Sequence, residues 1–435
     1  MHQRFASKSD AEPGAEPGTE PATLSALAPE DTWIDGVDMG AFKKEIQALG
    51  KTLAANEGAA DMAHLHKMVR WSDTATVLGV VLSAVLPAWT LLPAALLAVG
   101  VTSRWTMVAH HVCHGGYDKQ KSSRYNRFTF GVGSTWRRAL DWFDWFLPEA
   151  WNVEHNQLHH YKLGEVTDPD LVERNMEPIR TGNESALIKY ATVGFIVATW
   201  KWWYYAPNTF KQLRVVETRR QNPGALAKEK ERLADFETPL VLTTLFTTLF
   251  HEQVPRFVSL LGFLTRVMLP FVLYRFVVLP CAVVYASQTV GCVATTYGGV
   301  VAHFFLADLL ANIHSFIIIG TNHCGDDLYR FKHPCKFGSA TFYLRQVVSS
   351  VNFDAGTDVV DFFHGFLNYQ IEHHLWPNLS MLSYRKAMPK VKEICRRHGV
   401  PYVQERVIGR FWKTVAIMAG TASMRVFPED RENRE

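Results

Sequence analysis

The sequence predicts an all-α integral membrane protein with four crossings arranged as two hairpins. Three observations carry that expectation. Apolar residues concentrate near 73–109, 187–206 and 238–322, and a crossing helix needs about 20 mostly apolar residues. Pro87 interrupts the first of these runs near its middle, where a tight turn between two crossings would fall. Three clusters of histidine lie in the polar stretches at the ends of the apolar runs rather than within them.

The elements follow in chain order. Residues 1–35 read as a disordered tail, because the opening is rich in Ala, Glu, Pro and Gly and repeats Ala-Glu-Pro-Gly at 11–14 and 15–18; such a segment buries too little apolar surface to fold. Residues 36–72 read as an amphipathic cytosolic helical segment with good helix formers such as Lys43, Lys44, Glu45 and Ala48. Crossings are expected near 73–88 and 89–109, so that His110 and His114 emerge at the membrane surface. Residues 115–186 are mostly polar. The 187–206 segment is apolar and aromatic but carries Lys189 and Lys201, and Trp200–Tyr205 resembles an interfacial belt. A charged helical lobe is expected over 207–237, and a second spanning pair near 267–288 and 297–320. If all three histidine clusters share one centre, an even number of crossings separates His160 from His374. That parity requires 187–206 either to lie in the interface or to pair with another crossing near 238–261, and the interfacial placement is expected. The catalytic domain is expected over 73–405, with 406–435 as a C-terminal tail.

Composition excludes some classes. The chain of 435 residues is 48% hydrophobic and 12% aromatic, with a formal net charge of only +3. It lacks the basic run of a nucleic-acid binder, so no nucleic-acid partner is expected. Arg124, Arg127, Arg137 and Arg138 flank the first apolar run, and such flanking charge marks the cytoplasmic side. The six cysteines form no CxxC pair, which argues against a disulfide scaffold or a zinc ribbon.

The histidine clusters are His110-His111-Val112-Cys113-His114, His155-Asn156-Gln157-Leu158-His159-His160, and Gln370-Ile371-Glu372-His373-His374. On a helix, positions four apart share a face, about 5–6 Å between Cβ atoms. His110 with His114, and His155 with His159, have that spacing; Gln370, His373 and His374 sit at i, i+3 and i+4. Seven histidines exceed what one zinc ion takes, so two metal ions are expected. Imidazole alone does not choose among Fe, Cu, Zn and Ni. His323, in Thr321–Asp327 after the last crossing, is expected as an additional ligand. His111 lies off the shared face, and His251, His303, His314 and His364 read as packing histidines. Ligating histidines commonly donate their second N–H to a carboxylate or carbonyl, and Asp168, Asp170, Glu154, Asn156 and Glu372 are the candidates for that role.

This pattern resembles the membrane fatty acid desaturases, whose boxes read HxxxH, HxxHH or HxxxHH, and then HxxHH or QxxHH. The resemblance covers about 70–405, and Asn368–Pro377 is its most specific stretch, with Trp376 where Phe is more usual. It implies a cytosolic helical cap over the four crossings, and two irons held by His110, His114, His155, His159, His160, His323, His373 and His374. Gln370 stands where many members place a first histidine, as a further ligand or a neighbour of one. The resemblance also implies that dioxygen is activated and a cis double bond introduced into a long acyl chain, carried by a lipid or by CoA. Front-end members with a glutamine in the third box often carry a fused cytochrome b5 domain with a His-Pro-Gly-Gly motif. This sequence has no such motif, so a separate donor is expected, cytochrome b5 or ferredoxin with an NAD(P)H reductase. The location implied is the endoplasmic reticulum in a eukaryote or the inner membrane in a bacterium. Hydroxylation, ketolation or acetylenic-bond formation on the same scaffold is the nearest alternative. A membrane metal transporter is more remote, because transporters place ionisable groups near the midplane of their crossings.

Overall fold

The computed structural model describes residues 25–142, 144–233, 254–291 and 296–433. Residues 1–24 of the expected tail, His251 and most of the 238–261 stretch lie outside them. The described chain is mostly helical. Its one sheet among the described residues is a parallel pair, Tyr329–Arg330 with Arg425–Val426.

Among the described residues, four helices are long and apolar enough to cross a membrane: Ala59–Val85, Leu91–Cys113, Leu260–Thr289 and Tyr297–Ile319. The first begins well before the expected start at 73. The polar break falls at Asn56–Gly58, after a separate helix Met39–Ala55. The turn between the first two spans follows Val85 and includes Pro87. The two helices approach closely because small residues face each other. A Cβ on Gly100 would lie 2.2 Å from Thr76 Oγ1, and one on Gly79 would lie 2.7 Å from Leu97 Cγ. Ser103 Oγ donates to Ser72 Oγ at 2.9 Å across the same seam. Within the spans Arg104 pairs with Asp73, and buried Arg275 with Asp308 at 3.1 Å.

The 187–206 segment lies within a continuous helical run, Ala186–Trp200, Lys201–Tyr205 and Ala206–Gln221. It is not among the four helices that meet the length and hydropathy of a span. Its Lys201 is buried, and Nζ donates to Asp144 Oδ2 at 2.7 Å. Asp144 neutralises a cation that the apolar helix could not otherwise bury.

The remaining helices pack on one another and on the spans. Residues after 405, set apart by sequence as a tail, contain the helix Val407–Ala419 and pack back on this assembly. Buried Arg410 bridges to Asp327 Oδ1 at 2.5 Å and donates to the Cys324 carbonyl at 2.9 Å. The helix therefore braces the loop that follows His323. Arg410→Met is expected to cost about 2–3 kcal/mol, less than for a fully buried pair because Asp327 keeps some water. A lowered thermal unfolding midpoint would register the loss.

Candidate metal centre

Each histidine cluster is delivered by a helix end. His110 and His114 terminate the second span, just after a π-wound stretch, Ser103–Ala109. The second cluster continues the helix Pro148–Glu154 into a π-wound His155–His159. The third forms the short helix Gln370–Leu375, and His323 follows the fourth span. Such π-wound segments are frequent at functional sites because they re-aim side chains.

The eight histidines converge into two adjoining buried groups, each able to hold a metal ion. One contains His110, His114, His155, His160 and His373; the other contains His159, His323 and His374. The π winding redistributes the second cluster. Helical spacing put His155 and His159 on one face, yet His155 joins His160, five positions on, and His159 turns to the second group.

In the first group four Nε2 atoms close a ring. His110 to His373 is 3.1 Å, His373 to His160 is 3.1 Å, His160 to His155 is 3.2 Å and His155 to His110 is 3.2 Å. His373 donates its Nδ1–H to the Tyr384 hydroxyl at 3.3 Å, so its Nε2 carries a lone pair. Converging lone pairs repel unless a cation sits among them. A square of that side has its centre about 2.2 Å from each corner, close to the ~2.0–2.1 Å of first-row metal–imidazole bonds. The buried Nε2 of His114 has no hydrogen-bond partner, as a fifth donor would.

The second group is oriented from behind. His159 Nδ1 donates to Asp168 Oδ1 at 2.9 Å, His323 Nδ1 to the Ser349 carbonyl at 3.0 Å, and His374 Nδ1 to Gln346 Oε1 at 3.2 Å. Each bond fixes the tautomer that leaves Nε2 free for a metal. The Nε2 of His374 is buried without a partner. Gln370 Nε2 donates to His323 Nε2 at 2.8 Å, and Gln370 Oε1 is buried and unsatisfied. These orphaned atoms and this donor set fit two metal ions.

Electrostatics agree. Burial holds His114, His155, His160, His373 and His374 well below the ordinary histidine range, and His323 is pushed down to about 3. They are therefore neutral, as ligands must be. His159 is the exception: burial lowers it, but Asp168 and Asp170 more than compensate and raise it. Burial works to raise Asp168, yet His159 and the Gly164 and Asp170 amides hold it below its usual range.

The remaining candidates fall in different places. Asp170 lies 3.7 Å from His159 Nδ1 and 4.0 Å from His155 Nδ1, and burial pushes its carboxyl up to about 6. Glu154 turns from the ring nitrogens toward the Tyr205 hydroxyl, which donates to it at 3.3 Å. Glu372 points away from the histidines and accepts from Asn352 Nδ2 at 2.7 Å and from the Tyr402 hydroxyl at 2.9 Å. It anchors the third-cluster helix, and burial pushes its carboxyl up to about 7. Asn156 donates to Asn152 Oδ1 and to the Cys113 carbonyl, tying the first two clusters together. His111 donates Nδ1–H to the Met107 carbonyl at 2.6 Å and belongs to neither group. His303, His314 and His364 each bond a backbone carbonyl instead. Sequence reasoning did not single out Gln346, Ser349 or Tyr384, which come from separate segments and carry no spacing signal.

Two cavities reach the histidines, each lined by different members of the set. One, of about 400 Å³, is walled by aromatic and aliphatic side chains and reaches His110, His155, His159, His323 and Gln370. It follows the helix from Thr192 to Tyr204, roughly 18 Å at 1.5 Å per residue. The other, about 660 Å³ and more polar, reaches His114, His160 and His374.

The fatty acid desaturase family model matches residues 87–406, which include all eight histidines. The chain belongs to the fatty acid desaturase family. Among curated relatives, it is 32% identical over 126 residues to the NADPH-dependent stearoyl-CoA 9-desaturase of Mycobacterium tuberculosis, covering 28% of this chain and 29% of that one. It is 33% identical over 99 residues to the Delta(8)-fatty-acid desaturase of Euglena gracilis, 23% of each chain. A short stretch of 43 residues, 10% of each chain, is 49% identical to the acyl-lipid (9-3)-desaturase of Borago officinalis. These alignments thus span less than a third of the length of each desaturase relative.

Proposed function

We propose that this chain is a membrane fatty acid desaturase that inserts a cis double bond into a long acyl chain, using two irons and dioxygen. The observation that carries the reading is the placement of two buried polyhistidine groups against a long apolar cavity. His110, His114, His155, His160 and His373 would hold one iron. His159, His323 and His374 would hold the other, with Gln370 beside them. Irons bound there would supply the reductive activation of dioxygen needed to take hydrogen from unactivated methylenes, chemistry that side chains lack.

The protein's own part is positioning. The wall formed by Trp200, Tyr205, Phe316 and Leu367 would hold one pair of methylenes beside the histidines and keep water out. Asp168, Ser349, Gln346 and Tyr384 hold the rings in place. Electrons from a separate carrier would arrive through the more polar of the two cavities. Its wall includes Arg127, and exposed Lys121, Arg124 and Lys336 lie nearby in sequence, a basic setting suited to an acidic donor protein. Gln370→His should keep both metals and much of the activity, because imidazole can replace the amide as a donor. Gln370→Leu should lower metal content, measured by elemental analysis of the purified protein.

Expression in a host that supplies a reductase and carrier, followed by mass spectrometry of its fatty acids, tests the reaction. A new double bond is expected. A new hydroxyl, keto or acetylenic product would assign a sister oxidation on the same scaffold. An unchanged profile from iron-loaded protein across fed chain lengths would refute the proposal.

A further inference from the structure

The relatives differ in what carries the acyl chain: one is named for a CoA ester, another for an acyl lipid. We propose that in this protein the chain enters the apolar cavity sideways from the bilayer, as part of an uncharged or zwitterionic membrane lipid. Entry from water as a thioester of a polyanionic carrier is the alternative it excludes. The inference rests on reading the cavity as the acyl site.

The first ground is where the cavity opens. Most of its wall is shielded, but Pro178, Phe195 and Trp203 both line it and face outward, Phe195 at 56% and Trp203 at 39% exposure. The opening therefore lies between the segment around Pro178 and the helix Ala186–Trp200 with its continuation.

The second ground is what surrounds that opening. Leu187, Ile188 and Tyr190 are exposed on the same helix. Ile408 and Trp412 are exposed on Val407–Ala419, which packs against it and reaches the cavity through Met418. This helix follows the family match, which ends at 406. Both helices also pack on the span Tyr297–Ile319, which makes the apolar surface continuous with the surface of the spans. An exposed apolar patch of this kind marks a lipid-facing or partner-facing site. The aromatic residues at the opening suit the boundary between acyl chains and headgroups.

The third ground is charge. A CoA ester carries several phosphates and calls for free guanidinium or ammonium groups at the mouth. No lysine or arginine is among the described residues that line the cavity. The nearby cations are already engaged. Arg180 pairs with Glu173 at 2.9 Å and donates to the Ala422 carbonyl. Lys189 donates to the Arg180 carbonyl at 2.9 Å, and Arg174 to the Val166 carbonyl at 2.6 Å. Glu177, next to Pro178, is exposed and acidic.

Photolabelling of the full chain in phosphatidylcholine nanodiscs tests this. One probe is a phosphatidylcholine with a diazirine on its acyl chain; the other is the same acyl group as its CoA ester. Labelled peptides are mapped by mass spectrometry. The lipid probe should label the peptides bearing Pro178, Phe195 and Trp203, and excess unlabelled acyl-CoA should not compete. Phe195→Asp should cut that labelling by about tenfold or more, because an unpaired carboxylate beside methylenes is costly. Labelling of these peptides by the CoA ester, or competition by acyl-CoA, would overturn the inference. So would a lipid probe that marks only the spans. Labelling as expected with no new double bond in the lipid, once iron, dioxygen, a reductase and its carrier are supplied to the same nanodiscs, would sink the desaturase reading and leave the entry route standing. A product formed only from the CoA ester would do the reverse.

Discussion

Substituting His373 by alanine is expected to abolish product formation, a loss of at least about 100-fold, and to lower bound metal. Removing an outer partner alone typically costs 10–100-fold in metal affinity or activity, and His373 lies closer in. Its Nε2 lies 3.1 Å from both His110 and His160, so one deletion opens two sides of the nitrogen ring. The ring is fully buried. His314→Ala is the contrast. That imidazole only bonds the Phe363 carbonyl at 2.7 Å and belongs to neither group, so most of the activity should remain. Product yield and metal content of the two variants, purified in parallel, make the comparison. If His314→Ala were the inactive one, the assignment of ligands would be wrong.

The second large effect is expected at Asp168. Asp168→Asn should weaken metal binding by about 10–100-fold, the usual cost of losing a partner behind a ligating histidine. Its carboxylate accepts from His159 Nδ1 and from the Gly164 and Asp170 amides, each at 2.9 Å. An asparagine keeps the size but loses the charge, and its NH2 cannot accept. His159 would then be free to take the other tautomer, with its proton on the metal-facing nitrogen. Asp170→Asn should matter less, because Asp170 stands 3.7 Å or more from the same rings. A chelator competition series on wild type and both variants gives the ranking. Equal metal retention in all three would remove Asp168 from its proposed role.

Much of this arrangement was legible in the sequence because it depends on local periodicity. The four spans lie where apolar runs and Pro87 place them, and the histidines stand at helix ends as their spacing suggests. What escaped depends on winding and on distant contacts. The first span's start was misplaced by about fourteen residues, since Asp61 and Lys67 look polar but belong to the part of the long helix Ala59–Val85 that packs against other helices. The division of His155 and His159 between two groups follows from π winding, which ordinary helical spacing does not anticipate. Glu372 seemed placed to orient a histidine, but it faces Asn352 and Tyr402, partners 20 and 30 positions away. Gln346, Ser349 and Tyr384 are ordinary residues in sequence and acquire roles only once the third cluster folds against them. The helix Val407–Ala419 lies in the stretch set apart as a tail, but Arg410 and Lys413 both pair with Asp327, a partner some eighty positions earlier in the chain.

The proposed function requires that the eight histidines hold two irons in one centre. Its most direct test is the metal content of the full chain, purified in a membrane mimetic from iron-replete cells, read by elemental analysis. The account predicts two irons per chain, with wild-type content unchanged in His314→Ala and reduced in His373→Ala. A single zinc per chain, or no tightly held transition metal in folded protein, would contradict it.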